Sequence, residues 1–200
     1  KLVVIAATCA LFGSATAALA AGDAAAGKAK SATCAACHNA DGNSANPQYP
    51  KLAGQGEGYL LKQLQDYKSG ARVNAIMAGM VAPLSPQDME DLSAYYASQQ
   101  IARGAADPAL APVGEAIFRG GNLNSGVSAC MACHGPNGAG IPAAKFPAIA
   151  AQHAEYTELQ LKAFRAMERA NDAGQMMRSI ASKMTDAEIK AVSSYIQGLQ

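Results

Sequence analysis

The sequence predicts an all-α protein built from two tandem domains related by an internal repeat, and three observations carry that prediction. A five-residue segment, Cys34-Ala35-Ala36-Cys37-His38, recurs as Cys130-Met131-Ala132-Cys133-His134, an offset of 96. Apolar residues return at helical spacing in both halves, and no stretch has the sustained alternation of a half-buried strand. At 200 residues the chain has room for two small domains of roughly 80 to 90 residues each once its first twenty are set aside.

Those first twenty, Lys1 to Ala20, carry one positive charge and an uncharged run rich in alanine, leucine and valine, ending in Ala18-Leu19-Ala20. They read as a secretory signal cleaved after Ala20. An uncleaved anchor is the rival reading, since about 18 apolar residues is at the short end of a membrane span; Gly13, Ser14 and Thr16 weaken it. Cys9 goes with this segment, and four of the five cysteines remain.

The N-terminal domain is expected over 21–104, a linker over 105–111, where Ala105-Ala106-Asp107-Pro108 interrupts the pattern, and the C-terminal domain over 112–200. A first helix runs from about Asp23 toward Cys34, and its counterpart starts near Pro112 with Gly114, Ile117 and Phe118. A middle helix holds Tyr59, Leu60, Leu64 and Tyr67, echoed by Tyr156, Leu161 and Phe164. The last helix opens at a capping box, Ser85 with Asp88 or Thr185 with Glu188. Its apolar face is Met89, Leu92, Tyr95 and Tyr96, repeated as Ile189, Val192, Tyr195 and Ile196. Between these elements Tyr49-Pro50-Lys51-Leu52-Ala53 matches Phe146-Pro147-Ala148-Ile149-Ala150, with Gln55 and Tyr59 matching Gln152 and Tyr156, all at offset 97; the last helices stand 100 apart.

Charge excludes some functions. Sixteen basic and 15 acidic residues give a net charge of +1, and without Lys1 the two are equal. Residues 21–106 hold seven of each and 107–200 hold eight of each, so neither half is an electrostatic arm. This balance argues against a nucleic-acid partner or a polybasic membrane surface.

C-x-x-C alone leaves zinc, a redox dithiol and haem open. Histidine directly after the second cysteine, twice, in an exported chain, points to c-type haem attachment. Cys34 and Cys37, and Cys130 and Cys133, would add to the two vinyl groups of a haem, and His38 or His134 would then fall beneath the iron as an axial ligand. Zinc would need a fourth ligand that neither half supplies. A covalently held macrocycle also adds apolar surface to a domain too small for much core of its own.

The sixth iron position separates carrier from enzyme, because a methionine closes it and an open position invites peroxide or oxygen chemistry. Of eight methionines, register selects two: at the last-helix offset Met77 maps onto Met177, whereas Met80 maps to Ile180 and Met176 back to Ile76. Met77 and Met177 are therefore the expected ligands, with Met80 and Met176 next. The ring nitrogen not on iron needs an acceptor; Pro50 and Pro147 either support that turn or simply punctuate the loop. His153 has Gly56 as its repeat partner and is expected at the surface or in a hydrogen bond.

Together these residues resemble the cytochrome c4 family, dihaem proteins of two class I cytochrome c domains. The resemblance rests on both attachment motifs, Ala21-Gly22-Asp23, Pro50-Lys51-Leu52-Ala53-Gly54-Gln55-Gly56-Glu57, Gly79-Met80 before Pro83-Leu84-Ser85, Phe118-Arg119-Gly120-Gly121, and Ser193-Ser194-Tyr195-Ile196-Gln197-Gly198-Leu199. It implies two covalently bound haem c groups with ligand pairs His38/Met77 and His134/Met177, and a pseudo-twofold pairing of domains with propionates near their junction. Electron delivery in the periplasm from a cytochrome bc complex toward a terminal oxidase or other respiratory acceptor is the implied role. The loop between Arg72 and Met77 departs from the longer insertions of that pattern. The expected function is thus a one-electron carrier rather than an enzyme, with no nucleic acid and with membrane association either peripheral or through an uncleaved N-terminus. Its rivals are a dihaem peroxidase-like oxidoreductase and an anchored subunit of a respiratory assembly.

Overall fold

A computed structural model describes residues 22–200; the expected signal segment, with Cys9, lies outside the described residues. The N-terminal half contains α1 (Ala24–Lys30), α2 (Ala32–His38), α3 (Glu57–Ser69), α4 (Ala75–Val81) and α5 (Pro86–Ala97). The C-terminal half contains α6 (Ala111–Gly120), α7 (Met131–His134), α8 (Ala154–Arg165), α9 (Met176–Ala181) and α10 (Asp186–Gly198). Among the described residues, β structure is limited to two isolated bridges, Asn122 with Val127 and Ile141 with Phe146, and no helix is long and apolar enough to cross a membrane.

Each half is organised by its first helix crossing its last. Both last helices begin in complete capping boxes: Ser85 accepts from the Asp88 N–H and Thr185 from the Glu188 N–H, while each carboxylate reaches back to the cap residue's N–H. Every expected apolar position on them is buried except Tyr195, which is half-buried. In the C-terminal half Phe118, Ile189 and Val192 are fully enclosed and join Ile117, Leu161, Met184, Ile196 and Leu199 in one core. The N-terminal core is smaller, with Leu60, Leu92, Tyr95 and Tyr96 at its centre and Cys34, Leu52, Leu64 and Leu84 against it.

The structure corrects the sequence reading in four places. The first helix is interrupted: the buried Ser31 hydroxyl donates to Lys28 O (2.9 Å), ending α1, and α2 starts afresh at Ala32. The repeat offset also drifts further than the motifs suggest. Gly27 and Gly114 occupy the same place in their helix crossings, 87 residues apart, so nine residues are added before the second motif; three lengthen α6 beyond its counterpart and six fall in the connection that holds the turn closed by Asn122 and Val127. Short helices α4 and α9 occupy what reads as loop, the first capped by Asn74, whose side chain accepts from Met77 N–H at 2.9 Å. Finally, α6 begins at Ala111, inside the segment read as linker, and that linker lies along α10: Ser194 Oγ accepts from Asp107 N–H (2.8 Å) and Gln197 donates to Ala105 O (2.9 Å).

Lys30 of α1 reaches two carboxylates of α5, Asp88 (2.5 Å) and Asp91 (2.8 Å), and Asp91 is the more enclosed of the two. Asp91 is buried and accepts from Lys30 Nζ (2.8 Å), Asp23 N–H (3.0 Å) and Gln87 Nε2 (2.9 Å). The Lys30 ammonium, then the Asp23 amide and Gln87, hold its pKa down at about 2, against an ordinary value of 3.8. Because the folded pKa is the lower, this contribution is complete above about pH 4 and is lost as the pH falls toward 2. Asp91→Asn should therefore melt below the parent at neutral pH, and the gap should close between pH 4 and pH 2 in thermal melts followed by circular dichroism. A gap independent of pH would refute the charged tie.

Candidate functional site

Each attachment motif closes a short helix with its histidine. His38 ends α2 and His134 ends α7, both buried, and the four cysteines beside them are half-buried and unpaired. His38 Nδ1–H donates to Pro50 O at 2.9 Å, and His134 Nδ1–H donates to Pro147 O at 2.9 Å. One ring nitrogen is thereby fixed as the donor, and Nε2 is the atom left to coordinate a metal. Burial lowers both histidine pKa values, opposed by the proline carbonyls, which favours the neutral ring that ligation requires. Burial also pushes the Cys34 thiol up and the Cys130 thiol up to about 11.

The methionines divide by exposure. Met77 on α4 and Met177 on α9 are half-buried, the latter against the C-terminal core, while Met80 and Met176 are 48% and 42% exposed. Met89 and Met184 are core residues and Met131 packs against the C-terminal cluster. The donor set of each half, two thiols, one oriented imidazole and one thioether, fits a covalently attached haem. It does not fit zinc, since among the described residues no three His, Cys, Asp or Glu side chains converge on a common point.

The two halves meet through residues that sequence reasoning left without a role. Arg72 donates to Gln63 (2.8 Å) in its own half and to Tyr156 Oη (3.0 Å) and Gln160 (2.7 Å) in the other. Arg169 mirrors it, donating to Gln160 (2.8 Å) in its own half and to Tyr59 Oη (2.9 Å) and Gln63 (3.2 Å) across the junction. Each guanidinium also lies over a ring, Tyr67 at 4.8 Å and Phe164 at 4.5 Å. Every one of these pairs stands 97 apart, so the junction has a pseudo-twofold axis. The shared offset was the signal available in the sequence. His153, the odd histidine, is within 3.0 Å of Ser44 Oγ and donates from Nε2 to Ser44 O (2.9 Å), a junction contact with no counterpart.

Gln55 and Gln152 complete the junction reciprocally. Gln152 Oε1 accepts from Lys51 N–H (2.8 Å) and its Nε2 donates to Lys51 O (2.9 Å). Gln55 Oε1 accepts from Ala148 N–H (2.9 Å) and its Nε2 donates to Ala148 O (2.7 Å).

Comparison with known proteins matches this architecture. The cytochrome c profile matches residues 24–100 and again 114–200. Cytochrome c4 of Pseudomonas aeruginosa is 55% identical over 181 residues, covering 90% of each chain. The crystal structure of reduced recombinant cytochrome c4 from Pseudomonas stutzeri superposes with a TM-score of 0.88 at 53% identity, covering 90% of this chain and all of that one. A thiosulfate dehydrogenase electron acceptor from Thiomonas intermedia is 39% identical, over 84% of this chain and 78% of its own length.

Proposed function

We propose, from the premise that the chain belongs to the cytochrome c4 family, that it passes single electrons in the periplasm between a cytochrome bc complex and a terminal oxidase or other respiratory acceptor. This is a dihaem electron-transfer protein of two tandem cytochrome c domains, with two covalently bound haem c groups. When bound, each haem supplies a one-electron ferric/ferrous couple. In our reading Cys34 and Cys37 anchor one haem and Cys130 and Cys133 the other through thioether bonds. His38 and His134 would offer Nε2 and Met77 and Met177 their sulfurs to the irons, and the Pro50 and Pro147 carbonyls hold the imidazole rings in register. Methionine ligation of this kind would keep water and peroxide from the iron, which is what a carrier requires. The domains we assign are 21–104 and, because α6 starts at Ala111, 111–200, following a signal removed after Ala20.

The observation that carries this reading is the duplication of the oriented histidine: two C-x-x-C-H motifs, each histidine bonded at 2.9 Å to a proline carbonyl. Two such sites in one chain would let an electron enter through one domain and leave through the other. The relative that accepts electrons from thiosulfate dehydrogenase supports the same role with a different donor. Pulse reduction of the holoprotein should be followed by redistribution between the two haems faster than any exchange between molecules, at a rate independent of protein concentration. Redistribution that scales with concentration would mean the domains work separately.

A further inference from the structure

We propose that Gln152 and Gln55 are positioning residues, each tuning the axial histidine of the domain to which it does not belong. The inference rests on the reading of His38 and His134 as axial ligands. Its basis is a pair of single peptide groups. The peptide joining Pro50 to Lys51 accepts from His38 Nδ1–H through its carbonyl (2.9 Å) and donates through its N–H to Gln152 Oε1 in the other domain (2.8 Å). The peptide joining Pro147 to Ala148 accepts from His134 Nδ1–H (2.9 Å) and donates to Gln55 Oε1 (2.9 Å), again across the junction.

An amide whose N–H is engaged by an acceptor becomes a stronger acceptor at its own oxygen, because hydrogen bonds in series polarise one another. A stronger acceptor on Nδ1–H draws the proton away from the ring and makes the imidazole a more basic ligand. Basic ligands stabilise ferric over ferrous iron, so each glutamine lowers the potential of the haem in the opposite domain. The two side chains are built for this. Both are buried, at 8% and 7% exposure, and each Oε1 takes a second N–H from the following residue, Gly56 at 2.9 Å and His153 at 3.0 Å. Two donors into Oε1 and one carbonyl on Nε2 fix the amide orientation, since the flipped amide would set its NH₂ against two N–H groups. Plain adhesion between domains would not require both contacts to fall on the peptide that holds the iron ligand.

The test uses the holoprotein. Gln152→Met removes the acceptor and keeps an unbranched side chain of similar length. In a redox titration followed by NMR signals assigned to each haem, the N-terminal haem alone should become easier to reduce. Its ferrous-to-ferric ratio at fixed ambient potential should rise about three- to tenfold, the worth of one hydrogen bond, and the C-terminal haem should stay put. Gln55→Met should give the reverse pattern. Both haems moving in both variants would mean a loosened junction and would overturn the proposal, as would a shift confined to the variant's own domain, or no shift. Gln152→Glu keeps an oxygen for Lys51 N–H, so the N-terminal haem should not become easier to reduce; a rise equal to that of Gln152→Met would assign the effect to packing. This variant also serves if the methionine forms do not assemble. Ligation is read separately in the parent protein: ¹⁵N signals of His38 and His134 without the shifts that ferric iron imposes would end the ligand reading, whatever the glutamines do.

Discussion

Replacing Met77 by alanine should remove half of the methionine-to-iron charge-transfer absorption of the ferric protein and convert one of two haems to a form that binds small exogenous ligands. Met177→Ala should remove the other half, and the double variant all of it. The register between the two last helices selects this pair, and the structure separates them from their neighbours: Met77 and Met177 are half-buried, whereas Met80 and Met176 on the same helices are more exposed. Helix α4 orients Met77 through the Asn74 cap. Helix α9 is held by Asp172, which accepts from Arg178 N–H (3.0 Å) and from its guanidinium (2.7 Å). Losing a thioether sulfur lowers the potential of the haem concerned and opens its sixth position. Each single variant should therefore gain peroxide reactivity at one haem while the other still cycles as a carrier. If instead Met80→Ala or Met176→Ala removes the absorption, ligation belongs to the neighbour and the register argument fails.

What the sequence made legible was what repeats locally. The attachment motifs, the capping boxes and the apolar stripe of the last helices each depend on residues a few positions apart, so spacing alone reveals them. The Ser31 break did not show, because a serine inside an alanine-rich helix alters no periodicity; only its hydroxyl bonding to Lys28 O ends the helix. The nine residues added between Gly114 and the second motif hid the equivalence of Gly27 and Gly114, since the motifs are matched at a different offset. The junction was the hardest to read. Arg72, Gln63 and Tyr59 reach their partners only when α3 and α8 are brought together, and polar residues on a helix face read as solvated until something covers them. Among the junction residues, Gln55 and Gln152, like Tyr59 and Tyr156, were visible as repeated positions, but the purpose of the glutamines depends on contacts 93 and 101 residues away in sequence. The prolines were legible as repeated turns; that their carbonyls hold the histidines is a matter of three-dimensional geometry.

A single methyl group at Gly114 should do more damage than most side-chain truncations. A Cβ there would stand 2.3 Å from Ala191 O and 2.6 Å from Tyr195 Cβ, with neither neighbour a flexible chain end. Relief requires α6 to move off α10, and that crossing encloses Phe118, Ile189 and Val192. Overpacking of this kind costs about 1 to 3 kcal/mol or more, which for a protein of this size lowers the melting temperature by roughly 2 to 12 °C. Gly120→Ala, in the same helix, is the control: nothing lies within 4 Å of its Cβ and its φ is ordinary, so the substitution should stabilise by about 0.5 kcal/mol. Gly27→Ala poses the same problem in the N-terminal half, with Asp91 O at 2.0 Å. The core beneath it is smaller, so less packing remains to hold the crossing together once strained. Gly27→Ala should therefore shift the absorption of the N-terminal haem at temperatures where that of the C-terminal haem is unchanged, and Gly114→Ala the reverse. Equal melting of Gly114→Ala and Gly120→Ala would show that the helices do not cross where these glycines sit.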